Sequence, residues 1–341
     1  MTSTKNEAEQ RMHPLVSLIV PHYNHKNSLP VLLDSVLAQS ELPLEVIIVD
    51  DKSDESCADV VDAYRVRGMD IRLVEQAERQ YTKNIRLAGI REAKADIVAF
   101  ADADDHLLGT DILASHVDMM RREKADIVCF PGLSPDQEGR YVVPCKWSNP
   151  MAPRLEGEDI FARYIDRKLN SHVIWNKIYT RDLWLKIIDT AQKSAVRRYQ
   201  EDLYLTSLLM FHARRYIGSQ QAGYAYRGAG GSNAAKAAGR AATLYAILRE
   251  VVPYLVSNGC PDALARRFED QIKQRLTAMV KSLCDNAVSK EGDVVSDETL
   301  HGLSLHADKD TFLKIFMICI ADGKDKPSKR NFPFLGKYLK L

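Results

Sequence analysis

Three carboxylates fall within four residues at Asp102-Ala103-Asp104-Asp105, directly after the apolar run Ile97–Phe100. Like charges gathered this closely repel, so holding them together costs free energy unless a cation or hydrogen-bond donors compensate. Mg²⁺ and Mn²⁺ are hard cations that favour oxygen ligands, often one or two carboxylates with substrate phosphates completing the shell. A divalent cation bridging a diphosphate would neutralise charge building on a departing phosphate. The plainer reading is a solvated acidic turn in which Asp105 or Thr110 caps the next helix.

Two other apolar runs end in polar residues. Glu45–Val49 is followed by Asp50-Asp51, and Val16–Val20 by Pro21-His22-Tyr23-Asn24. Asp50 can accept from a base N–H and the Tyr23 ring can stack on a base, which together would make a nucleoside pocket; singly, they read as a loop acid and a packed ring. No G-x-G-x-x-G is present, so the usual dinucleotide phosphate turn is excluded. Arg86 is either a surface arginine or a contact to a diphosphate or to the Asp cluster. Glu201-Asp202 stands at an expected helix start, either as acids favoured by the helix dipole or as a general base that deprotonates an acceptor hydroxyl. Trp175 is a candidate for an acceptor sugar and Lys177 for a phosphate. His212 and Arg227 are further candidates on the metal, diphosphate or acceptor side of the same site. All four have structural alternatives.

These groups need elements to position them. Val16–Val20, Glu45–Val49, Ile71–Val74, Ile97–Phe100 and Ile127–Phe130 are β-rich and apolar on both faces, as in a mostly parallel sheet covered by helices. Helical patterns alternate with them. Ser28 is expected to cap a helix with Pro30 in its first turn. Others are expected near 54–67, 82–94 and 110–124, and later at 156–167 and 202–213. The alternation predicts a doubly wound α/β domain whose ligands bind beyond the carboxyl ends of the strands. After Gly228–Ser232 the composition shifts, and 235–286 reads as almost wholly helical. This divides the chain into 1–232, carrying the chemistry, and a helical region 233–341.

The 341 residues carry a net charge of +1, and nothing global points to nucleic acid. Met1–His13 lacks an apolar signal region, and no run approaches the ~18 apolar residues of a spanning helix. The cysteines at 57, 129, 145, 260, 284 and 319 are scattered; reduced thiols in a cytoplasmic protein are expected, and a zinc site is not.

The stretches V-S-L-I-V-P-H-Y-N (16–24), E-V-I-I-V-D-D-K-S-D (45–54), N-I-R-L-A-G-I-R-E-A-K-A-D (84–96) and F-A-D-A-D-D (100–105) resemble the family 2 glycosyltransferases of GT-A fold. W-N-K-I-Y (175–179), E-D-L-Y (201–204) and Y-A-Y-R (224–227) look like the family too, so the resemblance covers about 14–232. It implies that Pro21, Tyr23 and Asp50 line the nucleoside pocket, with Asp50 reading the base, and that Arg86 is the arginine before the D-x-D strand. Asp102, followed by Ala103, would lie near the ribose, and Asp104, with Asp102, would bind Mn²⁺ or Mg²⁺. Asp202 would be the catalytic base of an inverting single displacement, supported by Glu201, with Lys177 among the donor contacts. Leu87 and Ala95 stand where the family often has Asn and Gly. The absence of Q-x-x-R-W and of membrane helices argues against a processive synthase.

The function implied is transfer of a hexosyl or N-acetylhexosaminyl group from a nucleotide-sugar, with UDP-sugar favoured, to a glycan or lipid-linked saccharide in surface polysaccharide biosynthesis. A sugar-phosphate nucleotidylyltransferase and a non-catalytic nucleotide-sugar-binding protein are the alternatives; the first usually has a Gly-rich basic N-terminal loop, for which Pro21–Asn24 is the wrong chemistry. Region 233–341 can bind acceptor, form a homodimer or pack on the first part. Its tail, with Lys324, Lys326, Lys329, Arg330, Lys337 and Lys340 among aromatic residues, can meet anionic lipid at the inner face of the membrane or simply be solvated.

Overall fold

The computed structural model describes residues 14–39, 42–228 and 234–287. The segments 1–13, 229–232 and the basic tail, all read above, lie outside the described residues.

In chain order the first part runs β1 (Val16–His22), α1 (Leu29–Leu37), β2 (Leu44–Asp50), α2 (Ala58–Val66), β3 (Asp70–Glu75), α3 (Tyr81–Glu92), β4 (Ile97–Phe100), β5 (His106–Leu107), α4 (Ile112–Glu123) and β6 (Ile127–Cys129). It continues with β7 (Gly132–Pro135), β8 (Tyr141–Pro144), β9 (Arg154–Glu156), α5 (Glu158–Asp166), β10 (Lys177–Thr180), α6 (Arg181–Leu185), α7 (Ile188–Lys193), α8 (Glu201–His212), β11 (Arg215–Gly218) and β12 (Tyr224–Ala225). Two long helices close the described chain, α9 (Ala234–Ser257) and α10 (Asp262–Ala287). The chain divides into two compact units, Met1–Arg197 with Leu205–Ala229, and Arg198–Tyr204 with Gly230–Leu341.

The first unit is built on an eight-stranded sheet of order β3-β2-β1-β4-β10-β6-β11-β9. β1 is buried along its whole length, as expected for a strand covered on both faces. It pairs in parallel with β2 and β4, in registers that run to His22↔Asp50 and Ile19↔Phe100. Asp50 and the residues after Phe100 therefore emerge at the same edge, beyond the carboxyl ends. α3 crosses β1 at close range: a Cβ on Gly89 would collide with the Ile19 side chain, so the glycine sets how near the helix carrying Arg86 lies to the sheet.

The doubly wound, mostly parallel α/β architecture is as expected, with one strand of unexpected role. β10, which carries Lys177, runs antiparallel between β4 and β6 at the sheet centre, with Ile178 level with Ala99 and Val128. Ser28 also departs from expectation. It makes no side-chain cap on α1; its hydroxyl donates to the carbonyls of His25 and Ala103, both at 3.1 Å. That ties the start of α1 to the acidic turn. A second sheet, β5-β12-β7-β8, stands beside the turn because β5 follows it directly.

In the second unit the almost wholly helical stretch expected over 235–286 is a pair of helices. α9 buries Ala241, Leu244, Ile247, Val251 and Leu255, and α10 buries Ala265, Phe268, Ile272 and Leu276, both at helical spacing. The break is a Schellman cap: Gly259 has φ +82°, its N–H reaches the Val256 carbonyl at 3.2 Å, and Cys260 N–H reaches Leu255 at 2.9 Å. Pro261 follows, where a helix cannot continue backwards through it. Among the described residues no helix is long and apolar enough to cross a membrane.

Candidate active site

The end of β2 is a preassembled pocket wall. Asp50 is buried and sits 2.6 Å from Nδ1 of His22, also buried. Ser53 donates to it through its hydroxyl and through its N–H at 2.9 Å. Burial pushes the Asp50 carboxyl up, but the Ser53 hydroxyl, His22 and the Ser53 N–H outweigh it and hold it below the usual range. Asp50 is thus kept as an ionised acceptor. The loops after β1 and β2 are stapled by Asn24, which receives Asp54 N–H at 2.8 Å and donates to the Asp54 carboxylate at 2.7 Å. Pro21 is buried in β1 past the last β4 pair.

Asp51 does different work. It is buried, accepts Tyr81 N–H at 2.9 Å and also Gln80 N–H, and so ends the exposed N-terminus of α3. It also takes Arg79 Nε at 3.3 Å. The Arg79 guanidinium lies 3.2 Å from the centroid of the Tyr23 ring. One face of the Tyr23 ring is therefore covered by a cation. Arg79 was missed in the sequence, because only the fold brings a loop residue before α3 onto a ring after β1.

At the end of β4 the acids alternate: Asp102 and Asp104 are part-exposed, while Ala103 and Asp105 are buried. Arg86, almost fully buried on α3, donates to Asp102 at 3.3 Å, in agreement with its reading as a contact to the cluster. Asp105 is the structural member. It accepts the Tyr224 hydroxyl at 2.9 Å and Arg227 N–H at 2.7 Å. The same Tyr224 oxygen accepts Asp102 N–H at 2.9 Å. One phenol therefore clamps both ends of the turn, and it too was missed. Burial, together with the Asp102 and Asp104 charges, pushes the Asp105 carboxyl up to about 8 against the pull of Arg227 N–H and the Tyr224 hydroxyl.

That charge crowding and an all-oxygen donor set suit a hard divalent cation, so the residues fit the group the D-x-D pattern implies. A second grouping is engaged with itself: His22, Asp50 and Cys57 bring three potential ligand atoms within 4.8 Å of one another, but the Asp50 carboxylate is taken up by His22 Nδ1 at 2.6 Å and by Ser53.

Other candidates are placed as follows. Trp175, read as an acceptor contact, is 3% exposed and stacked on Tyr224 at 4.4 Å and on Tyr226 at 5.5 Å; it supports the clamp instead of offering an open face. Gly132 makes room, because a Cβ there would meet the Trp175 ring. Lys177, read as a phosphate contact, is fully buried, with its ammonium donating to the Asn176 side-chain oxygen at 2.7 Å and to the Val173 carbonyl. Its central strand explains the difference from expectation. Arg227 is exposed and serves Asp105 through its backbone. His212 lies in the last turn of α8 against Phe211, and burial, with Lys186 nearby, lowers its pKa; Glu201 and Asp202 are in the first turn, ~16 Å away along the axis. Those two acids follow Tyr199 and Gln200, at φ +59° and +63°, a left-handed pair that costs roughly 1–2 kcal/mol per residue. Backbone strain of this kind gathers at functional sites.

Doubly wound strand order, acids at the carboxyl edge and an arginine bracing them define a GT-A type α/β domain. The Glycosyl transferase family 2 model matches residues 17–186, and the chain belongs to that family. Its relatives include the uncharacterized glycosyltransferase YibD of Escherichia coli K12, 26% identical over 62% of this chain and 60% of YibD. Another is WfaP of Escherichia coli, a UDP-Glc:α-D-GlcNAc-diphosphoundecaprenol β-1,3-glucosyltransferase, 24% identical over 50% of this chain and 72% of WfaP. The chain thus spans under two thirds of YibD's length. Among solved structures, S. aureus TarS 1-349 superposes with TM-score 0.64 at 17% identity, covering 95% of this chain and 91% of TarS. TarS with UDP-GlcNAc gives 0.60 at 19%, covering 89% and 81%. The mannosyltransferase PcManGT of Pyrobaculum calidifontis, with GDP-Man and Mn²⁺, gives 0.53 at 17%, covering 94% and 92%.

Proposed function

We propose that this chain transfers a sugar from a nucleotide-sugar, UDP-linked, to a saccharide or lipid-linked saccharide acceptor in surface polysaccharide assembly, by one inverting displacement at the cytoplasmic face. The carrying observation is the acidic turn at the end of β4, braced by Arg86 through Asp102 and locked by Tyr224 through Asp105. The UDP-sugars named for WfaP and for the TarS complex favour uridine. We assign 1–232 to this chemistry and 233–341 to acceptor, oligomer or membrane contact.

In this reading Asp50 accepts from the base, with Pro21 behind it and the Arg79–Tyr23 pair beside it. Asp102, held by Arg86, faces the ribose. Asp104, with Asp102, holds Mn²⁺ or Mg²⁺, which when bound offsets the negative charge of the departing diphosphate. Asp202, supported by Glu201, takes the proton of the acceptor hydroxyl as its oxygen bonds to the anomeric carbon. The bond from that carbon to the diphosphate breaks, and the diphosphate leaves with the electron pair. A positioned base of this kind contributes about 10²–10⁴-fold.

The test is donor hydrolysis and transfer across UDP-, GDP- and dTDP-sugars with Mn²⁺ or Mg²⁺. Asp104→Ala is expected to abolish turnover, and Asp202→Asn to abolish transfer while leaving UDP affinity intact. Turnover of no donor rejects the enzyme reading; an Asp104→Ala variant as active as wild type removes Asp104 from the metal site. Loss of UDP affinity in Asp202→Asn moves that residue from base to metal ligand.

A further inference from the structure

Trp147 is one of three large apolar residues among the described residues that are exposed within six positions: Val142 at 56%, Val143 at 45% and Trp147 at 40%. An exposed indole has an apolar body whose burial is worth a good deal, and it needs a reason to stay open. Looseness of the chain is not that reason. Trp147 sits in a turn pinned from beneath by the fully buried Ser148. The Ser148 hydroxyl accepts Gly132 N–H at 2.8 Å and donates to the Cys145 carbonyl at 2.8 Å, and Asn176 donates to the Ser148 carbonyl at 2.6 Å. Cys145 N–H is fixed on Gly132 at 2.9 Å.

The turn presents Trp147 edge-on to Tyr226, with centroids 6.1 Å apart and planes at 89°. Tyr226 is itself held flat on the buried Trp175. The next residue, Arg227, has its N–H on Asp105 at 2.7 Å. A rigid right-angled corner of two aromatic rings therefore opens one residue from the acidic turn.

We infer that the Tyr226–Trp147 corner is the acceptor subsite and that its occupant is a pyranose ring. A pyranose carries an apolar C–H face and a rim of hydroxyls. Aromatic walls accept the first. A corner seats one ring in one orientation, which holds a chosen hydroxyl toward the acidic turn. Trp147 is a binding residue here and takes no part in the chemistry. The inference rests on the nucleotide-sugar reading above.

The experiment measures binding of methyl glycosides of glucose, galactose, mannose, N-acetylglucosamine and N-acetylgalactosamine by saturation-transfer NMR, with UDP and Mn²⁺ present. Tryptophan emission gives a second readout, since Trp175 and Trp184 are buried and Trp147 alone of the three tryptophans is exposed. At least one glycoside is expected to bind wild type. Trp147→Ala should weaken it tenfold or more, Trp147→Phe should keep it within threefold, and UDP affinity should be unchanged in both. Binding of no glycoside by a UDP-binding wild type overturns the subsite, as does equal binding by Trp147→Ala. So does Trp147→Ala losing phosphatidylglycerol vesicles instead of glycosides. Failure of wild type to bind UDP overturns the nucleotide-sugar reading itself, and the subsite with it.

Discussion

Replacing Tyr224 by Phe removes one oxygen and leaves the ring. Its stacking on Trp175 at 4.4 Å survives, so the change isolates the hydroxyl. That hydroxyl accepts Asp102 N–H and donates to Asp105, each at 2.9 Å, and Tyr224 is fully buried. Two losses follow. The Asp105 carboxyl is pushed up to about 8, so near neutral pH the hydroxyl meets a mostly neutral acid; such a hydrogen bond is worth about 0.5–1.5 kcal/mol, and an N–H left without an acceptor costs about 1–3 kcal/mol if water cannot reach it. Asp102 is part-exposed, so the second loss falls at the low end, and the sum is about 2 kcal/mol. At 2–4 °C per kcal/mol for a unit of this size, the melting midpoint should fall by roughly 4–8 °C. Activity should suffer separately, because the turn that aims Asp102 and Asp104 loses its clamp; kcat should fall more than UDP affinity. Scanning calorimetry and donor turnover on the same preparation read both. A midpoint within 2 °C of wild type, with kcat unchanged, would refute the clamp.

Arg79→Ala should raise the apparent KM for UDP-sugar about three- to tenfold with kcat retained, since a part-exposed cation–π contact is worth about 0.5–1 kcal/mol and the Asp51 contact is lost as well; steady-state kinetics check it, and an unchanged KM removes Arg79 from the base pocket. Asp50, whose folded pKa is lowered by Ser53 and His22 against burial, contributes stability that is complete at neutral pH and is lost as pH falls through about 4 and below. Asp50→Asn should flatten the acid limb of the stability curve in urea melts between pH 6 and 3; an acid limb parallel to wild type contradicts this. Lys177→Met should cost stability through the stranded Val173 and Asn176 acceptors while leaving the UDP-sugar KM within twofold; a large KM effect would return Lys177 to the donor site.

The sheet was legible because its strands are buried on both faces and therefore read as unbroken apolar runs. The pocket edge was legible because polar residues that directly follow such runs have one place to go. Arg86 had two open readings from its chemistry, and the family resemblance singled it out; α3 packing on β1 at Gly89 brings it to Asp102. What stayed hidden depends on pairing across long separations. β10 is four residues long and carries Lys177, so nothing in its composition marks a central strand; its place is decided by Ile178 lying between Ala99 and Val128. Lys177 and Trp175 were read as ligand contacts because an ammonium and an indole have that chemistry, whereas burial, which spends both inside the fold, is a tertiary fact.

The acidic turn shows where composition stops and geometry takes over. Three aspartates in four residues are chemically alike, and spacing alone ranks none of them. The Asp105 N–H closes a turn on the Asp102 carbonyl at 3.1 Å, and that turn leaves Asp102 and Asp104 part-exposed and sends Asp105 inward. Inward is tolerable only if donors wait there, and they come from Tyr224 and the Arg227 backbone, about 120 positions further on. The buried carboxylate is thus the anchor, and anchoring it fixes the two open ones. The segment 224–227 that supplies the anchor also supplies Tyr226, so one ring of the aromatic corner and the acids of the turn are held by the same stretch of chain. If the acceptor sits in that corner, its distance from the departing diphosphate is set by the Asp105 clamp. Tyr224→Phe should then loosen glycoside binding and lower donor hydrolysis, whereas Trp147→Ala should loosen glycoside binding and leave donor hydrolysis unchanged.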